Sequence, residues 1–446
     1  MKKLLFSIPV SLGWICAGMS YYSGQKIEGS YEASLAELTR SSGVKWEKAE
    51  YSAGLLNSSA ITVVKIPDTS QDDLIVRLHH EIQHTPIGIV DGKLWSGVAM
   101  VRTTLLKDES YSEEMQAFIN SFASDEPLLI NTEVKFDRSS TSDIVIAEAL
   151  YDNDVQNISF TESNFNVNVH GDNVKVDGTF GDLVTNNVNQ ETVKITGSKL
   201  TADLQRAAEG IYIGTSDFTL DSFTFSAPSA PTIDIKSSGA KYLSRIENNK
   251  LISSFKYFID ELDSPLPLNA VSLDIAAKGT SVDRWAEFSA VYEKALDSDG
   301  DNIDVPRLVS AGLNLLEPES GVDITLALTN DGGVADAALN IDVVPAASDF
   351  YPDGGINTTA PLRELLQLFT AKLSIKADAA AVNLTPLAAI LQSPVAQQYV
   401  VSDESTHTLD MSMEALLVTI NGNSIPLEPM LPFNFDMPIE MLLGTP

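Results

Sequence analysis

The sequence predicts an α+β protein with mostly antiparallel β-sheets, a few amphipathic helices and one N-terminal membrane-anchor helix. Three observations lead to this fold class. Apolar and polar residues alternate in many short segments, which is typical of strands with one buried face. Glycine, asparagine and aspartate separate these segments, as in antiparallel hairpins. At the N-terminus, the uncharged apolar run Leu4–Met19 follows two lysines.

Residues 1–25 are predicted to be a signal-anchor segment. A membrane span needs about 20 apolar residues, so Leu4–Met19 spans only if the lysines reach the head groups. Cleavage is the alternative, and Gly18-Met19-Ser20 is a poor small-x-small cleavage site. In both cases the positive end stays in the cytoplasm and the body is exported. We therefore expect a single N-terminal span in the inner membrane and a periplasmic body, with cleavage left open.

Composition limits the classes of partner and chemistry. The 446 residues are 44% hydrophobic, which is enough for buried cores. A formal net charge of −32 argues against nucleic acid and against anionic lipid head groups as partners, because both would be repelled. Cys16 is the only cysteine and lies in the apolar run, so the body contains no disulfide and no thiol chemistry.

The body divides by pattern into three regions. They are an N-terminal α+β region (26–127), an antiparallel β region (128–264) and a C-terminal α+β region (265–446). In the first region, helical spacing predicts helices over Ile27–Thr39 and 110–123. Period-two patterns predict the following strands in the same region: Lys45–Tyr51, Ser59–Lys65 and Leu74–Ile82.

The middle region shows mostly period-two alternation. Phe165–Val169 and Val174–Val176 flank the turn Gly171-Asp172 and predict a hairpin. Similar strand patterns occur at Phe218–Phe225, Ile233–Ile235 and Leu251–Ile259.

The C-terminal region mixes helices with hairpins. The predicted helices cover Trp285–Leu296, a segment capped by Asp304 that reaches Leu316, a segment from Pro361 to Phe369, and 385–394. The predicted strands and hairpins are a strand at Leu373–Ile375 and hairpins around Asn330–Gly333 and Asn421-Gly422.

Short motifs in this order resemble the YdgA-like family of Gram-negative bacterial proteins. Besides the N-terminal lysines and apolar run, the matching residues are Glu28, Tyr31, Leu35, Tyr51–Ala60, Glu81–Pro86 and Ile420-Asn421-Gly422, with Thr85 in place of the family's glycine. The resemblance covers most of the chain loosely. It implies a periplasmic protein anchored in the inner membrane, of unknown molecular function, with no catalytic residues to carry over.

His80-Glu81-Ile82-Gln83-His84 is a formal H-E-x-x-H motif. A zinc hydrolase needs the motif on a helix, so that both imidazoles share one face and the glutamate activates water. Here the segment has strand character, which would place His80 and His84 about 13 Å apart, too far for one zinc ion. The sequence therefore favours structural histidines on a half-exposed strand over a zinc site using His80, Glu81 and His84.

Asp297–Asp304 resembles the start of a calcium loop, with oxygen side chains at alternating positions. Asn302 replaces the turn glycine, and Leu308 occupies the position of the bidentate glutamate. A solvated acidic loop is the favoured interpretation, and calcium binding is the alternative.

No nucleophile elbow, phosphate-binding glycine loop or dinucleotide fingerprint is present in the sequence. We therefore expect no catalytic, cofactor-binding or metal-binding residues. The predicted function is that of a non-enzymatic, membrane-anchored periplasmic envelope protein that binds or supports another envelope component. The alternative is a carrier of lipid or another apolar ligand in a groove between β-sheets. Beyond the inner membrane, the candidate partners are another envelope protein, a second copy of the chain, or lipid.

Overall fold

A computed structural model describes most of the chain after residue 30. The described residues are 31–32, 35–36, 38–39, 44–52, 57–66, 74–83, 87–90, 93–153, 155–208, 211–265, 267–297, 305–344, 357, 359–383, 388, 396–427 and 434–442. The predicted anchor segment 1–25, His84 and, except for the helical residue 388, the predicted helix 385–394 lie outside them. Among the described residues, no helix combines the length and the apolar composition of a membrane span.

The chain forms two compact units. Unit 1 comprises Met1–Gln205 and Phe218–Ala230, and unit 2 comprises Arg206–Asp217 and Pro231–Pro446.

Strands dominate the described residues. The first fourteen are β1 (Lys45–Ser52), β2 (Asn57–Ile66), β3 (Leu74–Gln83), β4 (Ile87–Val90), β5 (Lys93–Ser96), β6 (Ala99–Leu105), β7 (Leu128–Val134), β8 (Ser140–Ile146), β9 (Ala149–Asp152), β10 (Gln156–Phe160), β11 (Ser163–His170), β12 (Asn173–Phe180), β13 (Leu183–Asn187) and β14 (Thr192–Thr196). The others are β15 (Ser198–Ala208), β16 (Ile211–Ala227), β17 (Ala230–Glu247), β18 (Lys250–Asp263), β19 (Ala270–Ser281), β20 (Gly321–Asn330), β21 (Gly333–Val343), β22 (Phe369–Asp378), β23 (Val401–Ser402), β24 (Thr406–Glu414), β25 (Leu417–Ile420) and β26 (Asn423–Pro426).

Helices are few and short. Those with described bounds are α1 (Glu113–Asn120), α2 (Val282–Asp297), α3 (Val305–Leu313), α4 (Leu362–Gln367), α5 (Ala379–Asn383) and α6 (Ile439–Leu442), and a 3-10 turn covers Ala396–Gln398. Residues 31–32, 35–36 and 38–39 are also helical, in agreement with the predicted N-terminal helix.

Every described strand pairing is antiparallel. In unit 1, β1-β2-β3-β6-β7-β8-β11-β12-β15 are consecutive neighbours, and β9-β10-β13-β14-β16 form a second series. In unit 2 the order is β17-β18-β19-β20-β21-β22-β24-β25-β26, with β23 also on β24. The predicted β-rich, antiparallel fold is therefore confirmed.

The main core of unit 1 lies between the helical residues near the N-terminus and one face of its sheet. Tyr31, Leu35 and Leu38 pack on alternate residues of the strands, where every second side chain points to the same face. The buried strand residues and their neighbours in this cluster are Val44, Trp46, Ala60, Val64, Leu78, Leu128, Ile130, Ile144, Phe165 and Val167.

The predicted hairpins agree with the observed register. Val167 pairs with Val176 across the Gly171-Asp172 turn. Asn330 pairs with Gly333, and Ile420 pairs with Asn423. These three turns contain the glycine, asparagine and aspartate residues that tight turns require, so local sequence determines the register.

Three predicted helices differ from the structure at their ends. The helix predicted over 110–123 is shorter (α1), because Ser112 caps its start by accepting a hydrogen bond from the Met115 N–H at 3.2 Å. At its other end, the Ser121 hydroxyl donates to the Phe118 carbonyl at 2.6 Å. The helix predicted to reach Leu316 ends at Leu313, where Leu316 N–H bonds the Leu313 carbonyl in a tighter turn.

The helix predicted from Pro361 to Phe369 ends at Gln367, and Phe369 is the first residue of β22. Phe369 pairs with Val343 of β21. Sheet pairing therefore overrides the helical spacing that Phe369 shares with the preceding leucines.

Gly181 marks a close approach of two backbone segments in unit 1. A Cβ atom at this position would lie 1.7 Å from the Thr161 carbonyl oxygen, and the Gly181 N–H already donates to Ser163 Oγ at 2.7 Å. Gly181→Ala is expected to lower the free energy of unfolding by about 2–3 kcal/mol, because backbone must move to relieve the overlap. Thermal unfolding measures the effect, with Thr179→Ala, a substitution at an exposed position of β12, as the control. Equal stability of the two variants would contradict this close approach.

Candidate functional site

A buried chain of polar side chains crosses the main core of unit 1. His80 on β3 lies beside Ala60 of β2 and Thr103 of β6 in the sheet register, and its side chain is only 1% exposed. Its Nε2 lies 2.7 Å from Thr62 Oγ1, and its Nδ1 lies 2.8 Å from Thr103 Oγ1. The Tyr31 hydroxyl is also hydrogen-bonded to Thr62 Oγ1. We call Tyr31, Thr62, His80 and Thr103 the buried polar chain.

Either neutral tautomer of His80 is compatible with the buried polar chain, since a neutral imidazole has one donor nitrogen and one acceptor nitrogen and each hydroxyl can both donate and accept. If Nδ1–H donates to Thr103, then Nε2 accepts from the Thr62 hydroxyl, which in turn accepts from the Tyr31 hydroxyl. In the other tautomer, Nε2–H donates to the Thr62 oxygen and Nδ1 accepts from the Thr103 hydroxyl. Both nitrogens of His80 are hydrogen-bonded in each case.

Burial keeps His80 neutral. Loss of hydration, with a smaller effect of the nearby His79, lowers the pKa of His80 from 6.5 to about 3. Burial likewise raises the pKa of Tyr31, although its hydrogen bond to Thr62 and the charge of Lys48 act in the opposite direction. The buried polar chain therefore holds no charge near neutral pH, and its hydrogen bonds join the helical residue Tyr31 to strands β2, β3 and β6.

This low pKa predicts acid-sensitive stability. The unfolded chain binds a proton on His80 below pH 6.5 while the folded chain does not, so the free energy of unfolding falls as pH decreases from 6.5 towards about 3. At pH 5, protonation of His80 in the unfolded chain is expected to lower the free energy of unfolding by about 2 kcal/mol. Urea unfolding at pH 7 and pH 5 measures it, with His80→Gln as the control that lacks the titrating group. An equal decrease in both proteins would contradict the assignment to His80.

The structure separates the residues of the formal H-E-x-x-H motif. His80 and Glu81 both lie on β3, as predicted, so their side chains point to opposite faces. Glu81 is exposed, whereas His80 is buried between two threonine partners, so β3 is half-exposed and His80 lies on its buried side. Both nitrogens of His80 are engaged in hydrogen bonds. Within the described ranges, no group of three or more His, Cys, Asp or Glu side chains is arranged to hold a metal ion.

The predicted calcium loop is mostly outside the described residues. Asp297 is the last residue of α2, and Leu308 lies in α3. Calcium binding by Asp297–Asp304 therefore stays a prediction.

Unit 2 presents a broad apolar surface on one side of its sheet. Register places apolar residues of five strands in continuous cross-strand rows; one row runs Leu273, Leu326, Ala337, Ile375, Leu409. We call the following residues the apolar face: Val271, Leu273, Ile275, Val322, Ile324, Leu326, Leu328, Ala335, Ala337, Leu339, Ile341, Ala371, Leu373, Ile375, Leu409, Met411 and Met413.

The opposite side of the same strands is polar. Its cross-strand partners include Asp323 with Asn340, joined by a hydrogen bond of 2.9 Å, and Ser374 with Asp410, joined at 2.7 Å. The Lys278 ammonium lies 3.3 Å from Asp323 Oδ2. This polar side is the solvated one, since its charges are exposed or partly exposed.

Every residue of the apolar face is only partly buried. None of them belongs to the four clusters of buried side chains that the described residues form. Monomeric soluble proteins rarely leave contiguous apolar patches of more than a few hundred Å² accessible, and such patches often mark binding sites. The apolar face is therefore the surface of unit 2 best suited to a ligand.

Short helices close both ends of the apolar face. At one end, Val343 and Phe369 form the next cross-strand pair along β21 and β22, beyond Ile341 and Ala371. This pair packs with Leu362 and Leu365 of α4 and with Ile439 of α6. The apolar face thus runs into a buried core at this end.

At the other end, Ala377 is buried next to α5. The Asn330 side-chain amide donates to the Ala381 carbonyl of α5 at 2.9 Å, and a Cβ at Gly332 would lie 2.4 Å from the Ala380 backbone. The apolar face is therefore bounded along the strands and partly exposed between the helices.

Sequence reasoning identified three of the five strands that carry the apolar face, β20, β21 and β22, but it missed β19 and β24 and the exposure of the face. Alternation shows which residues share a side, whereas it does not show whether another layer covers that side. The threonine partners of His80 also went unnoticed, because Thr62 and Thr103 look like ordinary β-branched strand residues. A polar residue on the otherwise apolar side of each strand is the signal that could have revealed them.

Fold and site together define a β-rich protein of antiparallel sheets with an apolar sheet face. The chain belongs to the family described as bacterial protein of unknown function (DUF945), which matches residues 1–428. No curated protein and no solved structure matches the chain.

Proposed function

We propose that this protein is a non-enzymatic binding protein of the cell envelope, anchored in the inner membrane by residues 1–25, whose apolar face binds an apolar ligand in the periplasm. The single observation that carries the binding role is the apolar face, with its partly buried side chains on five neighbouring strands. The anchoring rests on the lysines and the apolar run Leu4–Met19, and on the resemblance to the YdgA-like family.

The size of the apolar face favours a ligand-binding surface over a chance cluster of apolar residues. The rows contain three to five side chains from strands about 4.8 Å apart, so the longest rows extend over roughly 20 Å. Burial of apolar surface contributes about 25 cal/mol per Å², and a ligand covering such rows would gain several kcal/mol. The charged residues on the opposite side of the strands keep that side in water.

Export of the body is tested with single-cysteine variants. Because Cys16 is the only cysteine, Cys16→Ser with Thr179→Cys places one thiol at an exposed position of β12. In spheroplasts, a membrane-impermeant maleimide is expected to label this variant without lysis, whereas Cys16→Ser alone stays unlabelled. Labelling that requires lysis would contradict the periplasmic location.

Ligand binding is tested on the full chain isolated in its native membrane with a polymer that needs no detergent. We expect a ligand to remain bound to the protein through purification. The variant Leu273→Asp, which changes the apolar face, is expected to lose this ligand. Ser272→Asp, on the opposite side of β19, serves as the matched control. An apolar protein partner at Leu273 in place of a small ligand would argue for a supporting role in the envelope and against the carrier role.

A further inference from the structure

The chemistry of the apolar face restricts which part of a ligand contacts it. Its residues are alanine, valine, leucine, isoleucine and methionine, and none carries a hydrogen-bonding side chain except the weakly accepting sulfur. The row of Leu273 continues to Tyr257 on β18, so a hydroxyl is present only at the border of the apolar face. A polar ligand group placed there would lose its hydrogen bonds to water without replacement. Binding sites for small polar or heterocyclic ligands usually include a few convergent polar groups. The contacting part of the ligand is therefore a hydrocarbon chain.

The charge around the apolar face restricts the remaining part of the ligand. Acidic residues outnumber basic ones in unit 2, and the whole chain has a net charge of −32. At one end of the strands lie the exposed carboxylates of Asp263, the last residue of β18, and of Asp331 and Glu404 in the connections. The lysines nearest in the sheet, Lys372 and Lys376, lie on the opposite, polar side.

An anionic head group held at that end of the apolar face would thus be repelled by these like charges, an effect that acts over a screening length of about 10 Å. A neutral or zwitterionic head group would not be repelled. Resting on the proposed function, we propose that the ligand of the apolar face is a lipid with aliphatic chains and a head group without net negative charge.

The test compares two photoreactive probes of equal chain length. Membrane vesicles that contain the full chain receive either a C16 alcohol or the corresponding C16 fatty acid, each with the same mid-chain diazirine, at a pH where the acid is ionised. After illumination, mass spectrometry measures labelling of the peptides that carry the apolar face. The alcohol is expected to label them about tenfold more than the acid at about 0.05 M salt, and the ratio is expected to decrease towards one at about 1 M salt because of screening.

Each outcome has a distinct meaning. Equal or stronger labelling by the acid at low salt overturns the inference about the head group, while the proposed binding function stands. Absence of labelling by both probes overturns the proposed function and the inference together. Leu273→Asp is expected to reduce labelling by the alcohol, whereas Ser272→Asp retains it, which shows that the labelling arises from the apolar face. A small aromatic diazirine without an alkyl chain is expected to label less than the alcohol, and stronger labelling by it would contradict the aliphatic class.

Discussion

Replacing His80 by alanine is expected to lower the free energy of unfolding by about 3–5 kcal/mol. The substitution removes a side chain that is 1% exposed and leaves a cavity under Tyr31, whose ring lies edge-on to the imidazole with centroids 5.8 Å apart. It also removes the imidazole partner of the Thr103 hydroxyl and leaves Thr62 with its bond to Tyr31, and an unpaired buried group costs about 1–3 kcal/mol. Urea unfolding followed by fluorescence of the buried Trp46 measures the change.

Two variants of the same strand separate the hydrogen bonds from the packing. His79→Ala removes the adjacent, partly buried histidine and is expected to change stability by less than about 1 kcal/mol. His80→Gln keeps a donor and an acceptor and is expected to recover part of the loss. If His80→Ala proved no more harmful than His79→Ala, the buried polar chain would have no structural role.

Leu273→Asp is expected to weaken ligand binding at the apolar face roughly thirtyfold or more, which corresponds to about 2 kcal/mol. Leu273 is in the row with Leu326 and Ala337, and a carboxylate there must lose water when the ligand covers it. Stability is expected to change little in comparison, because Leu273 is only partly buried in the folded protein. The ratio of binding loss to stability loss is therefore the informative quantity.

Ser272→Asp provides the comparison for this prediction. It adds the same charge one residue away, where the side chain points to the polar side between Phe258 and Ala327. Ligand binding is expected to stay within about twofold of the original, since the added carboxylate remains solvated. Severe unfolding by Leu273→Asp alone would show that the apolar face is a covered core and not a binding surface.

Period-two alternation and turn residues predicted much of the fold, because each is determined by neighbouring residues. The hairpins at Gly171-Asp172 and Asn421-Gly422 depend only on residues within a few positions of the turn. The end of the helix before Phe369 could not be predicted, since Phe369 pairs with the distant Val343. Nor could the burial of His80, which depends on three segments that meet only in the folded sheet.

The candidate site shows the same limit. The hairpin predicted around Asn330–Gly333 and the strand predicted at Leu373–Ile375 account for three of the five strands. Their union into one surface follows from the register of five strands, and its partial exposure follows from where α4 and α5 lie. Neither property is encoded within a single segment, so the sequence supported a carrier only as an alternative.

Photo-crosslinking in living cells tests the central claim most directly, because it needs neither detergent nor purification. Benzoylphenylalanine replaces Leu273 on the apolar face in one variant and Ser272 on the polar side in another. After illumination, mass spectrometry of the labelled peptide should reveal lipid adducts at position 273 and few or none at position 272. Equal adducts at both positions, or none at position 273 while the protein is folded, would contradict the binding role of the apolar face.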